Sequence, residues 1–356
     1  MSVDQALCCK YIGRDTAFWQ EAEAALELAR TVAGAQELLT DAEAALLDRK
    51  DSAKGGRLMN QFAKLVTPAA GPMATVGALG SMLPRAILPY QEQGADDEMI
   101  RETFGDMLRW VTWYKRHNGR DGLAELGWVV IPYANHIYKI GSLQYERIKS
   151  NLPVQVFRAP GGSILLFSSG GVYMDQNGEA CSAESAETIT IFKQQNGELH
   201  GHLIDPVTGR IDPKETIIPA DGLTPVLKPG DDVLTMHIPA GTSLRPSDVD
   251  DSLRRAHRFF GDLGLRYPIA ICHSWLLDPQ LEEMLPKNSN ILNLAHRFAR
   301  VSMAGPGSAP RYIFMTDVAP EKLPPEAVKT HLQQAAMAHL NAGGRFYDFG
   351  GAMLLN

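Results

Sequence analysis

Between residues 233 and 298 the chain reads VLTMHIP, then AGTSLRPSDVDDSLRRAHRFFGDLGLR, then YPIAICHSWLLDP and QLEEMLPKNSNILNLAHRF. An apolar strand, an amphipathic helix and a second apolar strand succeed one another at the spacing of a crossover, which joins neighbouring parallel strands. The reading predicts strands over 233–239 and 267–275, adjacent and parallel, joined by a helix over 247–263. In open sheets of this kind a ligand binds beyond the carboxyl ends of the strands. Those ends carry His237 on one side and His273, Ser274 and Trp275 on the other.

The rest of the second half reads as sheet. HIYKIGSLQYERI has the apolar pattern of one interior strand. VQVFRAP and SILLFSS flank Gly161 and Gly162 as a hairpin, TITIFKQ and ELHGHLI flank Gln195, Asn196 and Gly197 as another, and DPVTGR makes a turn. RYIFMTDV is predicted as a last strand, PPEAVKTHLQQAAMAHLNAGG as a helix stopped by Gly343 and Gly344, and the end as an extended tail.

The first half is helical in pattern. TAFWQEAEAALELARTV and AQELLTDAEAALLDRKD repeat apolar residues three and four apart, and RLMNQFAKLV follows Gly55 and Gly56. Residues 69–89 read either as a buried helix interrupted by Pro84 or as a packed loop. DDEMIRETFGDMLRWVTWYKRHNG begins acidic and ends basic, which suits one helix dipole, and Trp110, Trp113 and Tyr114 are expected in a core or domain interface. The pattern changes between Gly119 and Gly127. This gives an α+β chain: a helical N-terminal domain over 1–124, a mixed-sheet domain over 125–318, and a C-terminal helix and tail over 319–356.

At 356 residues with 45% hydrophobic content, two domains fit better than one. A net charge of -7 argues against a nucleic-acid partner, which requires a basic face. The start lacks a basic stretch followed by an apolar run, and no eighteen apolar residues occur together, so a cytoplasmic protein without a membrane partner is expected. The four cysteines form neither a disulfide framework nor a CxxC site. Cys272, inside YPIAIC, reads as a buried structural thiol, with a nucleophile as the sharper alternative. His200 and His202 share a strand face without a third ligand, so no metal is assigned. The oligomeric state is not set by these features.

Four separated stretches carry a resemblance: IGSLQYE (140–146), HIPAGTSL (237–244), CHSWLLDPQLEEMLPKNSNI (272–291) and HLNAGGRFYDFGGAMLL (339–355). In that order they resemble a bacterial family of N-acyltransferases with a helical N-terminal domain and a GNAT-like C-terminal domain. The resemblance implies transfer of an acyl group from acetyl-CoA or another acyl-CoA, the co-substrate, to an amine of a small molecule or peptide. It implies that 233–239 and 267–275 are the fourth and fifth GNAT strands, which part to hold the pantetheine arm, and it carries Ile238 and Asn290 into the cofactor site. The pyrophosphate would then lie over Ala240, Gly241, Thr242 and Ser243, near a helix start, with Arg245 adding charge. The GNAT loop normally reads Q/R-x-x-G-x-G/A, whereas here one glycine precedes LRPSDVDDSL. Asp248, Asp250 and Asp251 suit a helix start, with Ser247 or Asp248 as its cap, yet they repel a pyrophosphate at the same turn.

Amine acylation requires a base, an oxyanion donor and an acid for the leaving thiolate. His237 fits the base, with an ordinary pKa near ~6.5; a hydrogen-bonded structural histidine is the other reading. Glu146 would need a water relay or partial burial to act as base. Ser274 or Tyr145 can donate to the leaving sulfur. Tyr145 and Glu146 are adjacent on one strand and point to opposite faces, as do His273 and Ser274. Trp275 reads as a core anchor. A GNAT-shaped domain without catalysis, serving as a ligand-binding or protein-interaction module, is the competing function.

Overall fold

The computed structural model describes residues 2–305 and 307–355 and divides the chain into two compact units. The first holds the chain up to residue 140 together with 144–146; the second holds 141–143 and the remainder from 147.

The first unit contains α1 (Gln5–Tyr11), α2 (Thr16–Arg30), α3 (Ala35–Glu43), α4 (Ser52–Ala70), α5 (Met73–Ala86), α6 (Leu88–Glu92), α7 (Asp97–Gly105), α8 (Met107–Asn118) and α9 (Leu126–Val129), followed by strand β1 (Ile137–Ile140). Asp4, Asp15, Asp51 and Asp96 each accept a hydrogen bond from the third amide of the helix that follows. These caps satisfy donors that a helix start leaves open. Every residue of α5 from Met73 to Leu83 is buried, with Pro84 inside the helix, so the buried-helix reading of this stretch holds. Gly55 and Gly56 lie within α4 rather than before it. The expected single helix after Asp96 is two, since α7 ends at Gly105 and α8 starts at Met107. Trp110, Trp113 and Tyr114 are half-buried on α8, whose buried residues are Met107 and Val111.

HIYKIGSLQYERI forms two strands rather than one: Gly141, at φ 62°, and Ser142 turn the chain between β1 and β2 (Leu143–Lys149). The second unit continues with β3 (Val154–Arg158), β4 (Ile164–Ser168), β5 (Tyr173–Met174), β6 (Thr188–Ile189), β7 (Phe192–Gln195), β8 (Glu198–Ile204), β9 (Ile211–Pro219), β10 (Thr224–Leu227) and β11 (Asp232–His237). Then come α10 (Pro246–Asp262), β12 (Ile269–Ser274), α11 (Leu281–Met284), α12 (Asn290–Ala295), β13 (Ala299–Ser302), α13 (Ala309–Phe314), α14 (His331–Asn341) and β14 (Phe349–Leu354).

One sheet orders its strands β10, β3, β4, β8, β7, with β9 also on β8. Both predicted hairpins are present, Val154 facing Ser168 and Gln195 facing Glu198. Asn196 and Gly197 make the second turn at positive φ, as an Asn-Gly hairpin requires. The TITI half of TITIFKQ instead supplies β6, which pairs with β5. The other sheet places β2, β11, β12, β14 and β13 in that order. Val233, Ile269, Ile271, Val301 and Ala352 from this sheet share one core with Val154, Val156, Leu166 and Ile211 from the first. Each such side chain contributes about 1.5–3 kcal/mol when fully buried. The two sheets therefore pack face to face.

Three expectations change in the last sixty residues. RYIFMTDV is not a strand: α13 runs through it, begun by Pro310 in its first turn and ended by Met315 at φ 54°. The following helix is shorter than predicted, starting at His331 behind a Thr330 and Gln333 capping box, while Pro325–Ala327 is an isolated 3-10 turn. The extended tail is β14, an interior strand bonded antiparallel to β12 on one side and to β13 on the other. The strand β13, in FARVSM, had no counterpart in the sequence reading.

Candidate functional site

The predicted crossover is present. β11 and β12 are adjacent and parallel, and α10 joins them. Their register sets Leu234 beside Ala270 and Thr235 beside Ile271. Met236 and His237 on one strand, and Cys272, His273 and Ser274 on the other, run on past this paired stretch. β12 stays bonded to β14 through those same residues, with His273 opposite Gly350 and Ser274 opposite Phe349. The polar ends of the parallel pair thus stand on a rigid partner strand.

Successive residues of a strand alternate faces, and directly paired residues share one. From Thr235 beside Ile271 it follows that His237 and His273 lie on one face, the face of Val233 and Ile271 and of the core between the sheets. Ser274 lies on the other face with Cys272. Sequence reasoning put His237 and Ser274 in one site; strand alternation instead sets His237 and His273 on one face and Ser274 on the other. The Ser274 hydroxyl accepts the Leu276 amide at 3.1 Å, capping a short 3-10 turn, which leaves its own proton for donation. Cys272 is 1% exposed and burial pushes its thiol up to about 12, which removes the thiolate that a nucleophile needs. Trp275 packs, as expected, against a satellite core that includes Leu281, Ile313 and Phe346.

His273 is exposed to solvent as a residue, yet the surrounding protein lowers its imidazole pKa, and the nearby His237 lowers it further; Asp348 opposes both. Asp348 immediately precedes β14. Its Oδ1 accepts the Ser308 amide at 2.9 Å and the Ser308 hydroxyl at 3.0 Å. Beneath this, Asp278 is buried, accepting the Tyr347 amide at 3.0 Å and the Gln280 amide at 3.0 Å. Burial raises its pKa and these hydrogen bonds oppose the rise. His273, Asp278 and Asp348 were not singled out as site residues, because the YDFGG segment that organises them looked like a tail.

The loop after β11 closes on itself. Pro239 to Thr242 form a turn, the Thr242 amide donating to the Pro239 carbonyl at 3.2 Å. Gly241, at φ 75° with open space around it, supplies the left-handed position. The Thr242 hydroxyl donates to the Ser142 carbonyl, and the Ser243 hydroxyl donates to Asp248. Arg245 Nε donates to Asp248 Oδ2 at 2.9 Å. Asp248 is held below the usual carboxylate range, first by Ser243 and then by Arg245. Neither Ser247 nor Asp248 caps α10. Arg245 occupies that position without a side-chain capping bond, and Pro246 begins the helix.

The other predicted residues stand elsewhere. Ile238 is half-buried and Ala240 exposed in the same loop. Asn290 is exposed at the start of α12, where Ser289 accepts the Ile291 amide at 3.2 Å. Just past α12, Arg297 pairs with Asp250 of α10 at 2.5 Å. Tyr145, fully buried, and Glu146, half-buried, belong to the first unit. His200 contacts Glu198 at 3.1 Å and buried His202 contacts the Asp212 carbonyl at 3.0 Å. Among the described residues no cluster of three or more His, Cys, Asp or Glu has metal-binding geometry, and no helix is long and apolar enough to cross a membrane.

Comparison with known families agrees with this architecture. Residues 9–134 match the N-acyltransferase N-terminal domain and residues 137–353 match the GNAT-like C-terminal domain. The chain belongs to the N-acyltransferase family that joins a helical N-terminal domain to a GNAT-like C-terminal domain. No curated protein matches it. Among solved structures, it is similar to an acyltransferase mutant in complex with octanoyl-CoA, at 20% identity and a TM-score of 0.64, covering 99% of this chain and 87% of that one. It is similar also to an acyltransferase in complex with CoA and 10C-teicoplanin, at 20% identity and a TM-score of 0.51, covering 86% and 77%. A third, an acyltransferase in complex with decanoyl-CoA, shares 21% identity at a TM-score of 0.50, covering 96% and 79%. At such identities the likeness speaks for the fold.

Proposed function

We propose that this protein is an acyl-CoA-dependent N-acyltransferase acting on an amine of a small molecule or peptide. The observation that carries the reading is the end of the β11 and β12 pairing at Thr235 and Ile271, with His237 and His273 just beyond it on one face. In this reading a pantetheine arm enters past that point, and the imidazoles stand where the thioester would end. Relatives of this fold were solved with octanoyl-CoA, decanoyl-CoA and teicoplanin, a glycopeptide, which favours medium-chain donors and a peptide-type acceptor as the first to test.

In this reading His237 takes a proton from the amine. Ser274, whose hydroxyl caps a 3-10 turn on the opposite face of β12, takes no part in this proton path. Ile238 and the loop from Ala240 to Ser243 lie along the pantetheine and pyrophosphate, Arg245 adds positive charge, and Asn290 contributes from α12. A cytoplasmic location fits the acyl-CoA supply.

The non-catalytic module is the second reading, and one observation favours it: Ser243 and Arg245 are already bonded to Asp248. Calorimetric titration with acetyl-CoA, octanoyl-CoA and decanoyl-CoA separates the two, followed by thiol release in the presence of amines. Binding of at least one acyl-CoA is expected; absence of heat with all of them and with free CoA would leave only the module.

A further inference from the structure

We propose that His273 is a second proton-handling catalytic residue, working on the same strand face as His237. The inference rests on the acyltransfer reading and adds a residue that the family resemblance did not point to.

The geometry is set by two ladders. The β11 and β12 register puts His237 and His273 on one face two positions past the last pair, Thr235 and Ile271. The β12 and β14 register puts Gly350 opposite His273, and Asp348, just before β14, lies within electrostatic reach of the imidazole. Gly350 has no side chain, and the Leu152 side chain fills the space where its Cβ would stand. Ser308 engages one oxygen of Asp348 through both its amide and its hydroxyl, which holds the carboxylate in place. His273 itself is solvent-exposed and within electrostatic reach of both groups.

Proton balance gives the second imidazole a task. An amine reaches the site as an ammonium and must lose one proton before it can attack. Attack on the thioester carbon forms the carbon to nitrogen bond and a tetrahedral intermediate whose nitrogen still carries an extra proton. That second proton must also leave, and collapse then breaks the carbon to sulfur bond, expelling a thiolate that needs one. Two protons depart, one returns to sulfur, and one goes to solvent. In our assignment His237 accepts the ammonium proton and releases it to water. His273 accepts the proton of the tetrahedral intermediate and delivers it to the sulfur. A neutral imidazole is required at His273 for this, and the protein packed around the ring together with its neighbour His237 favours that state, while Asp348 opposes it.

The test uses the full chain with an acyl-CoA and an amine that support turnover. His273→Ala is expected to lower kcat by roughly 10²-fold while acyl-CoA affinity and Tm stay at wild-type values, and added imidazole is expected to restore part of the rate. A His273→Ala protein that turns over within twofold of wild type overturns the proposal while leaving the acyltransfer reading intact. So does a rate loss that tracks a fall in Tm and resists imidazole, which would make His273 structural. Failure of the wild-type protein to bind or turn over any acyl-CoA overturns both, and that outcome is seen before any variant is made.

Discussion

Gly350 lies directly opposite His273 in the antiparallel ladder of β12 and β14, and the side chain of Leu152 occupies the space where a Cβ on Gly350 would stand. The absence of a side chain at Gly350 therefore lets Leu152 close the core between the sheets. Gly350→Ala is expected to cost about 1–3 kcal/mol of stability through overpacking, read from the denaturation midpoint. In a Leu152→Ala background the same substitution should cost clearly less, and equal costs in both backgrounds would show that the two positions do not compete for space.

His237→Ala is expected to reduce turnover by roughly 10²- to 10⁴-fold with acyl-CoA affinity nearly unchanged. Rate, affinity and Tm measured on the one variant decide the matter. A destabilised protein with unchanged specific activity would make His237 structural.

The loop after β11 titrates in a defined direction. Asp248 ionises at lower pH in the folded chain than in the unfolded chain, because Ser243 and Arg245 bind its charged form. The support it gives the loop is complete above the usual carboxylate range and is lost as pH falls through its lowered pKa. Amide exchange of the 242–249 segment should quicken over that acidic window. Asp248→Asn should remove this dependence, free Arg245 at neutral pH and tighten acyl-CoA binding roughly two- to tenfold by removing a negative charge from the turn. Weaker binding in this variant would show that Asp248 organises the site.

Cys272 is expected to resist thiol-specific alkylation in the native protein, its pKa pushed up to about 12 by burial. Cys272→Ala should retain turnover, with a cost in stability on the order of 1 kcal/mol for the atoms removed. Loss of activity in a folded Cys272→Ala protein would restore the nucleophile reading.

The crossover was legible because its signals are local: apolar strand, amphipathic helix, apolar strand, with His237 and Ser274 at the ends. The hairpins were legible for the same reason, Asn196 and Gly197 marking one turn directly. What the sequence hid depends on partners distant along the chain. FGGAML has weak strand propensity of its own, since glycine is depleted in strands, and it becomes β14 because two waiting edges pair with it. RYIFMTDV has strand-like composition, but Pro310 starts a helix there. The shared face of His237 and His273 required the register, which one sequence does not state. Arg245, by contrast, was legible as a charge near the loop, while its bond to Asp248 was not.

The place of β14 has a consequence for how the protein is made. β12 and β13 are synthesised earlier, and both are bonded to a strand that follows them by the whole of α13 and α14. Until that strand emerges, a nascent chain holds two open strand edges around a gap in its central sheet. Open edges are templates for pairing with other chains. Translation speed through the last helix, and chaperone occupancy during it, should then govern the yield of native protein more strongly than any substitution on the exposed faces of the helices.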